Sequence, residues 1–528
     1  MFLNFSLKVM IVVCSFANRG QARTVHARAG RMWRAARAAR EIAHWARGER
    51  LEWRNARQQR GEHRDRERNS DKTLRSVSVR AGEHATSEPR ILTRLRASSF
   101  HRALGFPRLF SARIRFALKR MIVAIEFSAL NVLAWVLWLV VLAWLVNILL
   151  TLYGLFRESR LSPTNDLALQ ANEAPLVSVL VPARNEADRV LAESISSMLA
   201  QDYGRFEVIA VNDRSTDATD AILKSLAATN NRLRVIEGAE PPPGWLGKPF
   251  ALQQALNKAQ GEWILATDAD MIFEPAALRT AVAHALEREA DAVTFIPHFA
   301  ALSFWERVMI PAWAWVFLMY AICYRINNPK SPGAAAIGGF FLLRRATLER
   351  VGDYEALRDE VMEDMRLAEL IKRAGGTLLI NHAPGLVRTR MYRNFSEMWE
   401  CCTRNWFAGM NFSLPLAMSA ILSIYLIAVA PAVIAIASAV GMATGAVGFS
   451  RLFIPAALSW LMQVFLVFVM SIRSGVSPAY ALTAPLGLGV LYAMLFDSSM
   501  RISLGRGVRW KGRRIYEAAG VSAPSFRR

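Results

Sequence analysis

The sequence predicts an α/β domain with a mostly parallel β-sheet, inserted between an N-terminal transmembrane helix and a C-terminal helical membrane region. Three observations lead to this prediction. Short apolar runs alternate with amphipathic stretches over residues 175–410, which is typical of a parallel sheet whose strands are connected by helices. A Trp-rich apolar run precedes this region. Three stretches without charged residues follow it, each long enough to cross a bilayer.

The net charge of +22 belongs almost entirely to the N-terminal segment. Residues 1–120 contain 28 Arg and Lys against nine Asp and Glu, which accounts for +19 of it. This segment is rich in Arg and Ala without a sustained apolar period, so it cannot bury a core. We expect it to be disordered, or to precede a translation start at Met121, and in either case to be dispensable.

Residues 121–153 are predicted to form the first transmembrane helix, because Glu126 is their only charged residue from position 122 onward. The stretch 303–326 is also apolar and Trp-rich, but it is short and contains Pro311. Sequence typical of the α/β domain lies on both sides of it. We therefore predict an interfacial helix that seats this domain on the bilayer.

The C-terminal region, 411–498, is predicted to contain three or four transmembrane helices. The number depends on whether the 46 uncharged residues before Arg451 form one span or a hairpin near Pro431. Residues 499–528 form a basic tail, which is typical of the cytoplasmic side. The hairpin is favoured, because a fourth span would place the tail on the same side as the α/β domain.

Polar residues follow the predicted strands where a ligand would be expected. The strands are Leu176–Val181, Phe206–Val211, Leu233–Ile236, Trp263–Thr267, Ala292–Ile296, Gly338–Leu343 and Thr377–Ile380. Glu186 follows the first strand, Asp213 the second, and Asp268 and Asp270 the fourth. Ligands of open α/β sheets bind at the carboxyl ends of strands, so these side chains should lie close together.

Asp268 and Asp270 point to a metal site, since two carboxylates one residue apart can hold a divalent cation and, through it, a diphosphate. Lys248, in Pro-Gly-Trp-Leu-Gly-Lys, can contact a phosphate, although Pro249 excludes a P-loop. Glu363 and Asp364 open a helix that ends near residue 373. They can be capping residues, or Asp364 can be a general base, with Glu363 pointing about 100° away from it.

Taken in order, these motifs resemble the family 2 glycosyltransferases, which have the GT-A fold, over about residues 175–410. They are the opening strand and turn 177–186, Asp213, the Asp-x-Asp at 268–270 and the Glu-Asp at 363–364. Gly244–Lys248 and the stretch from Phe304 to Gly339 resemble most the membrane subgroup associated with hopanoid and carotenoid glycosylation.

The resemblance implies an inverting, metal-dependent transfer of a sugar from a nucleotide sugar, expected to be a UDP-sugar, to a lipid or lipid-linked acceptor. Asp364 would be the catalytic base, and Asp268 and Asp270 would hold Mg²⁺ or Mn²⁺. The implied nucleotide-sugar site consists of Pro182, Ala183, Glu186, Asp213, Lys248, Asp268, Gly339, Arg404 and Trp406. The implied location is the inner membrane, with the catalytic domain in the cytoplasm.

One departure from the family concerns the acceptor. Processive polysaccharide synthases carry Gln-x-x-Arg-Trp, whereas residues 401–406 read Cys-Cys-Thr-Arg-Asn-Trp, without the Gln and with the Trp displaced by one. This favours a single transfer over chain elongation, which remains an alternative.

Two other classes of protein remain as alternatives. A transporter or flippase would need charged residues inside the C-terminal spans, which carry none. A nucleic-acid-binding membrane protein would use the Arg-rich segment, but aromatic residues that stack on bases are not interleaved there, and no nucleic-acid partner is expected. The sequence does not identify the sugar or the acceptor.

Overall fold

The computed structural model describes residues 108–163, 174–320, 323–510 and 513–517. Nearly the whole Arg-rich segment lies outside these residues, so its predicted dispensability stays a prediction. Residues 124–528 form one compact unit. The first described element is a long helix, α1 (Arg108–Phe156), whose part from Ala129 onward is apolar enough to cross a membrane.

The α/β domain follows the predicted alternation of strands and helices. Its strands are β1 (Val177–Ala183), β2 (Phe206–Asn212), β3 (Leu233–Glu237), β4 (Trp263–Ala266), β5 (Met271–Phe273), β6 (Ala292–Ile296), β7 (His298–Phe299), β8 (Phe341–Arg344), β9 (Leu378–His382) and β10 (Val387–Thr389). Its helices are α2 (Leu191–Leu199), α3 (Thr219–Thr229), α4 (Gly247–Leu256), α5 (Ala277–Glu287), α6 (Phe304–Tyr320), α7 (Cys323–Ile326), α8 (Arg345–Arg350), α9 (Glu363–Arg373) and α10 (Phe395–Asn405).

Seven strands form the main sheet in the order β3-β2-β1-β4-β8-β6-β9, and only β8 runs antiparallel to its neighbours. The predicted mostly parallel sheet is therefore confirmed. The strand predicted from Gly338 begins at Phe341, because residues 338–340 form a turn that reaches the site described below. A second sheet, in the order β5-β10-β7, lies beside the first.

Both faces of the main sheet are covered, which explains the uninterrupted apolar sequence of its central strands. Along β4, Trp263 and Leu265 belong to one hydrophobic cluster, and Ile264 and Ala266 belong to the cluster on the other face. This alternation follows the two-residue period of a strand. Because β1, β2 and β4 are parallel neighbours, the loops after them leave the sheet at one edge.

The membrane region contains α11 (Leu414–Ile424), α12 (Ala430–Ala443), α13 (Ser450–Arg473) and α14 (Ala484–Ser503). Residues 425–429 form a π-helical turn that joins α11 to α12. The chain therefore does not reverse at Pro431, and the predicted hairpin is wrong. Pro431 lies in the first turn of α12, directly after this π-helical turn, where its missing N–H breaks no regular α-helical bond.

Four segments are long and apolar enough to cross a membrane: Ala129–Phe156, Leu414–Ala443, Ser450–Arg473 and Pro478–Ser503. The first three run side by side. Trp144 of α1 donates a hydrogen bond to the carbonyl oxygen of Ile427 (2.8 Å). At the end remote from the α/β domain, Arg451 of α13 donates one to Asn131 of α1 (2.7 Å).

The fourth segment differs, because both of its ends contact the α/β domain. Arg307, in the first turn of α6, donates to the hydroxyl of Tyr480 just before α14 (3.5 Å). Ser498, near the other end, donates to the carbonyl oxygen of Thr403 in α10 (2.5 Å). Between them, Gly487 lies so close to α6 that a Cβ atom would be 2.9 Å from a backbone oxygen of that helix. Thus α14 packs along the α/β domain through its contacts with α6 and α10.

The basic tail forms a hairpin, β11 (Arg506–Trp510) and β12 (Arg513–Glu517), which packs on α10 and α14. The ring of Tyr516 contacts that of Phe412, with 5.1 Å between the centroids, and Tyr516 is buried. The tail therefore lies beside the α/β domain. The expected hairpin near Pro431 is not needed for this position, because the stretch around Pro431 forms a single helix. The side of the membrane on which the tail lies stays a prediction.

Candidate active site

Lys248 joins two elements at the edge of the sheet where the loops converge. It lies in the first turn of α4, after a turn in which Gly244 adopts a positive φ of 86° that favours glycine. The amide of Leu246 donates to the carbonyl oxygen of Arg358 (2.6 Å), which holds this turn against the segment leading into α9. As a result, the Lys248 ammonium lies 2.6 Å from Oδ1 of Asp268 and 2.7 Å from Oε1 of Glu363.

The charge around Lys248 keeps it protonated. Burial lowers the pKa of Lys248, but the carboxylates of Asp268, Glu363 and Asp364 outweigh burial and raise the pKa above its ordinary value. With three carboxylates around one ammonium, the local net charge is negative and would attract a divalent cation.

Asp364 begins α9 and faces the same cleft. Its Oδ2 accepts a hydrogen bond from the amide of Gly338 (2.8 Å), and its Oδ1 accepts one from the amide of Met365 (2.8 Å). Burial and the neighbouring charge of Glu363 raise the pKa of Asp364 to about 6, against the opposing effects of Lys248 and the two amides. A carboxylate with this pKa is well suited to take a proton near neutral pH.

Glu363 also belongs to this cleft. Its side chain is buried, pairs with Lys248 and lines the cleft together with Asp364. The expected angle of about 100° between the two residues on the helix therefore does not exclude Glu363 from the cleft. The cleft is lined by Lys248, Leu252, Ala266, Thr267, Gly338, Phe341, Tyr354, Glu363, Asp364 and Leu367.

Of the two adjacent glycines, Gly338 faces the cleft. A Cβ atom on Gly338 would lie 3.1 Å from Oδ2 of Asp364 and 3.3 Å from Nζ of Lys248. A Cβ atom on Gly339, the predicted site residue, would instead lie 2.7 Å from the sulfur of Met271. The carbonyl oxygen of Gly339 accepts a hydrogen bond from the Thr267 hydroxyl (2.7 Å), so this residue joins β4 to the turn before β8.

Asp270 pairs with a residue that the sequence analysis did not select, Arg189. The guanidinium of Arg189 lies 3.0 Å from Oδ2 of Asp270, 3.2 Å from Oε2 of Glu397 and 3.7 Å from Oε2 of Glu186. The turn after β1 is thereby tied to the Asp-x-Asp and to α10. In the sequence, Arg189 is only an Arg in a polar turn, and no pattern there distinguishes it.

The nucleoside part of the predicted site lies at the ends of β1 and β2. The amide of Asp213 donates to the carbonyl oxygen of Ala183 (2.8 Å), which follows Pro182 at the end of β1. Oδ1 of Asp213 accepts hydrogen bonds from the side chain of Arg214 at 2.8 and 3.0 Å. Glu186 is buried, and its amide donates to the hydroxyl of Thr219 (2.8 Å). These residues therefore lie together as predicted.

Arg404 and Trp406 lie at the end of α10, on the membrane side of the domain. The indole of Trp406 contacts the ring of Tyr492 in α14, with 6.0 Å between the centroids. On the same helix, Met398 and Cys402 line an apolar cavity. Its remaining lining comes from α6, α14 and the strand ends, namely Phe299, Met309, Ile310, Trp313, Met391, Tyr392 and Leu491.

The donor atoms at the Asp-x-Asp suit a hard divalent cation, since carboxylate oxygens are the ligands that Mg²⁺ and Mn²⁺ prefer. Among the described residues, no group of three or more His, Cys, Asp or Glu side chains is positioned to hold a metal ion. A cation held by Asp268 and Asp270 would therefore complete its coordination with phosphate oxygens and water, which is the usual arrangement for Mg²⁺ in phosphate-transferring sites. The residues fit a metal that is held together with its substrate.

The comparisons with known proteins concern mainly the α/β domain. Residues 178–352 match the family model described as Glycosyl transferase family 2. The chain is 40% identical over 98 residues to beta-monoglucosyldiacylglycerol synthase of Nostoc sp., covering 18% of this chain and 20% of that enzyme. It is 24% identical over 253 residues to 4,4'-diaponeurosporenoate glycosyltransferase of Staphylococcus aureus, covering 46% and 64%. The matched segments thus span less than two thirds of either relative.

Among solved structures, the mannosyltransferase PcManGT from Pyrobaculum calidifontis, in complex with GDP-Man and Mn²⁺, is 19% identical with a TM-score of 0.40, covering 69% of this chain and 98% of that one. The family model spans β1, the Asp-x-Asp and the glycine pair before β8, and Asp364 lies just beyond it. Residues 178–352 are thus similar to a glycosyl transferase family 2 domain.

Proposed function

We propose that the protein transfers a sugar from a nucleotide-sugar donor to a lipid or lipid-linked acceptor, with inversion at the anomeric carbon. One observation carries the proposal: Asp364 and Lys248 line one cleft at the carboxyl edge of the sheet, and Lys248 pairs there with Asp268. This cleft combines a base whose pKa is near 6 with a cation suited to a diphosphate.

In the proposed reaction, the acceptor hydroxyl attacks the anomeric carbon from the side opposite the diphosphate. The new bond forms between the acceptor oxygen and that carbon, while the bond from the carbon to the diphosphate oxygen breaks and its electron pair leaves with the nucleotide. The acceptor proton passes to the carboxylate of Asp364. Lys248 stabilises the negative charge that develops on the leaving diphosphate. A single displacement of this kind inverts the anomeric configuration.

Asp268 and Asp270 would hold Mg²⁺ or Mn²⁺ on the diphosphate. When bound, the metal supplies neutralisation of the charge on the leaving group. Glu186 and Asp213 would contact the nucleoside, which we expect to be uridine. Arg189 holds Asp270 and Glu186 in one arrangement and thus relates the metal end of the site to the nucleoside end.

A lipid acceptor is supported by the apolar cavity between α6, α10 and α14. It contains no charged side chain in its lining and lies against elements that pack on the membrane helices. The cavity suits an acyl or isoprenoid chain, whose headgroup hydroxyl would be directed toward the catalytic cleft. Two of the relatives are named for products or substrates of lipid character, a monoglucosyldiacylglycerol and diaponeurosporenoate, which also supports a lipid acceptor.

We further propose three membrane crossings, by α1, α11–α12 and α13, with α6 and α14 at the interface on the catalytic side. The contacts at both ends of α14 support this arrangement. The turn from residue 444 to 449, at the opposite end, carries no charge, whereas the hairpin of the tail is basic. Basic segments prefer the cytoplasmic side, so the catalytic domain and the tail would both face the cytoplasm.

Lipid analysis of a deletion strain tests the proposed function. A glycolipid that disappears on deletion and returns with the wild-type gene, but not with Asp364→Asn, would identify both sugar and acceptor. Loss of a water-soluble polysaccharide instead would support the processive alternative. Transport that survives Asp268→Ala would support a transporter.

A further inference from the structure

Tyr354 lines the catalytic cleft and carries a buried hydroxyl group that has no hydrogen-bond partner among the described residues. The residue lies between α8 and α9, and its side chain is 1% exposed. Its hydroxyl makes no hydrogen bond with any of the described residues. The side chain nevertheless lines the cleft together with Lys248, Glu363 and Asp364. Buried hydroxyl groups in proteins are almost always hydrogen-bonded, so this one calls for a partner that enters the cleft.

The surroundings of this hydroxyl decide which chemical group can be its partner. Burial and the charge of Glu363 raise the pKa of Tyr354, so the hydroxyl stays protonated and can donate or accept. The Glu363 carboxylate disfavours an anionic partner for the hydroxyl of Tyr354. A neutral hydroxyl therefore fits better than a phosphate.

The lining of the cleft favours a sugar ring. It combines the apolar side chains of Leu252, Phe341 and Leu367 with polar groups, the amide of Gly338 and the carboxylate of Asp364. A hexose presents hydroxyl groups along its edge and C–H groups on its faces, which matches this combination.

We propose that the hydroxyl of Tyr354 hydrogen-bonds a hydroxyl group of the donor sugar and thereby contributes to selection of the sugar. This inference rests on the proposed use of a nucleotide-sugar donor. A polar group that is built to bond a substrate hydroxyl rejects analogues that lack it, because the protein group then stays buried and unpaired.

The test compares Tyr354→Phe with the wild type, using full-length protein in detergent with Mg²⁺. Dissociation constants are measured by calorimetry for UDP-glucose, UDP-galactose, UDP-N-acetylglucosamine and GDP-mannose, and for the matching nucleoside diphosphates. For the donor that the wild type binds best, we expect Tyr354→Phe to weaken binding about 5- to 100-fold. Binding of the bare nucleoside diphosphate should change less than twofold or so, because the hydroxyl faces the sugar.

Tyr203→Phe provides a matched control. Tyr203 is also buried, but its hydroxyl donates to the carbonyl oxygen of Pro175. This variant should lower the melting temperature and leave donor affinity unchanged, whereas Tyr354→Phe should keep the melting temperature, since it removes no bond of the ligand-free protein.

Three results would overturn the inference. Unchanged donor affinity in Tyr354→Phe would show that the sugar does not contact the hydroxyl. An equal loss for donor and bare nucleoside diphosphate would assign the hydroxyl to the phosphates. If the wild type bound none of the four nucleotide sugars, the proposed function would fail, and this inference with it.

Discussion

The pH dependence of turnover gives a quantitative test of the role assigned to Asp364. A base must be ionised to accept the acceptor proton, so the rate should rise with pH through the pKa of Asp364, which is about 6. With that pKa, about 9% of the enzyme is ionised at pH 5 and about 91% at pH 7. We therefore expect kcat/KM, which reports the free enzyme, to increase about tenfold between these values and then to level off.

The charged neighbours of Asp364 determine the direction in which each variant should shift the pH profile. Glu363 raises the pKa of Asp364 and Lys248 lowers it. In Glu363→Gln the acidic limb of the profile should therefore move to lower pH, and in Lys248→Met it should move to higher pH. Initial rates of sugar transfer are measured at subsaturating donor from pH 5 to 8, with thermal unfolding followed in the same buffers. An acidic limb near pH 4 in the wild type would refute the assignment, and so would a shift to higher pH in Glu363→Gln or to lower pH in Lys248→Met.

Further predictions concern the base, the metal, the cavity and the N-terminal segment. Asp364→Asn should lower turnover about 10²- to 10⁴-fold with little change in donor affinity, measured by single-turnover kinetics and calorimetry. The described residues contain no group of three or more side chains positioned to hold a metal ion, so the diphosphate should supply further ligands and Mn²⁺ should bind at least about tenfold more tightly in the presence of UDP. Asp270→Asn should remove most of the activity and also this effect of UDP on the affinity for Mn²⁺. Met398→Phe, which narrows the apolar cavity, should raise the KM for the lipid acceptor about tenfold without changing the donor KM. Deletion of residues 1–120 should leave turnover in membranes within about twofold of the full-length value, and loss of activity would contradict the expected dispensability.

The membrane topology has a direct test of its own in reporter fusions. A cytoplasmic reporter should be active after residue 475 and after residue 517, and a periplasmic reporter should be active after residue 446. The same reporter activity at 446 and 475 would contradict a crossing by α13.

The sheet and the grouping of the polar loops could be predicted from the sequence for a physical reason. Strands such as β1 and β4 are buried on both faces, so they appear as continuous apolar runs, and the parallel order brings their carboxyl ends together. Position after a strand therefore sufficed to predict that Glu186, Asp213 and Asp268 lie at one edge.

The contacts within the site could not be predicted in this way. The pairing of Arg189 with Asp270 and of Lys248 with Glu363 depends on how loops fold over distances of 81 and more than 100 residues in the chain. The unpaired hydroxyl of Tyr354 can be identified only when its surroundings are known, because an aromatic residue there otherwise looks like part of the core. The packing of α14 along the domain could not be predicted from hydropathy either, because hydropathy reports only the length and apolar character of a segment.

The central claim, that Asp364 catalyses sugar transfer to a lipid, is tested most directly with purified full-length protein, a radiolabelled nucleotide sugar and an extract of membrane lipids. We predict that label enters the organic phase as a glycolipid of inverted anomeric configuration, and that Asp364→Asn loses this transfer while still binding the donor. Label found only in a water-soluble polymer, a product of retained configuration, or transfer by Asp364→Asn at the wild-type rate would contradict the account.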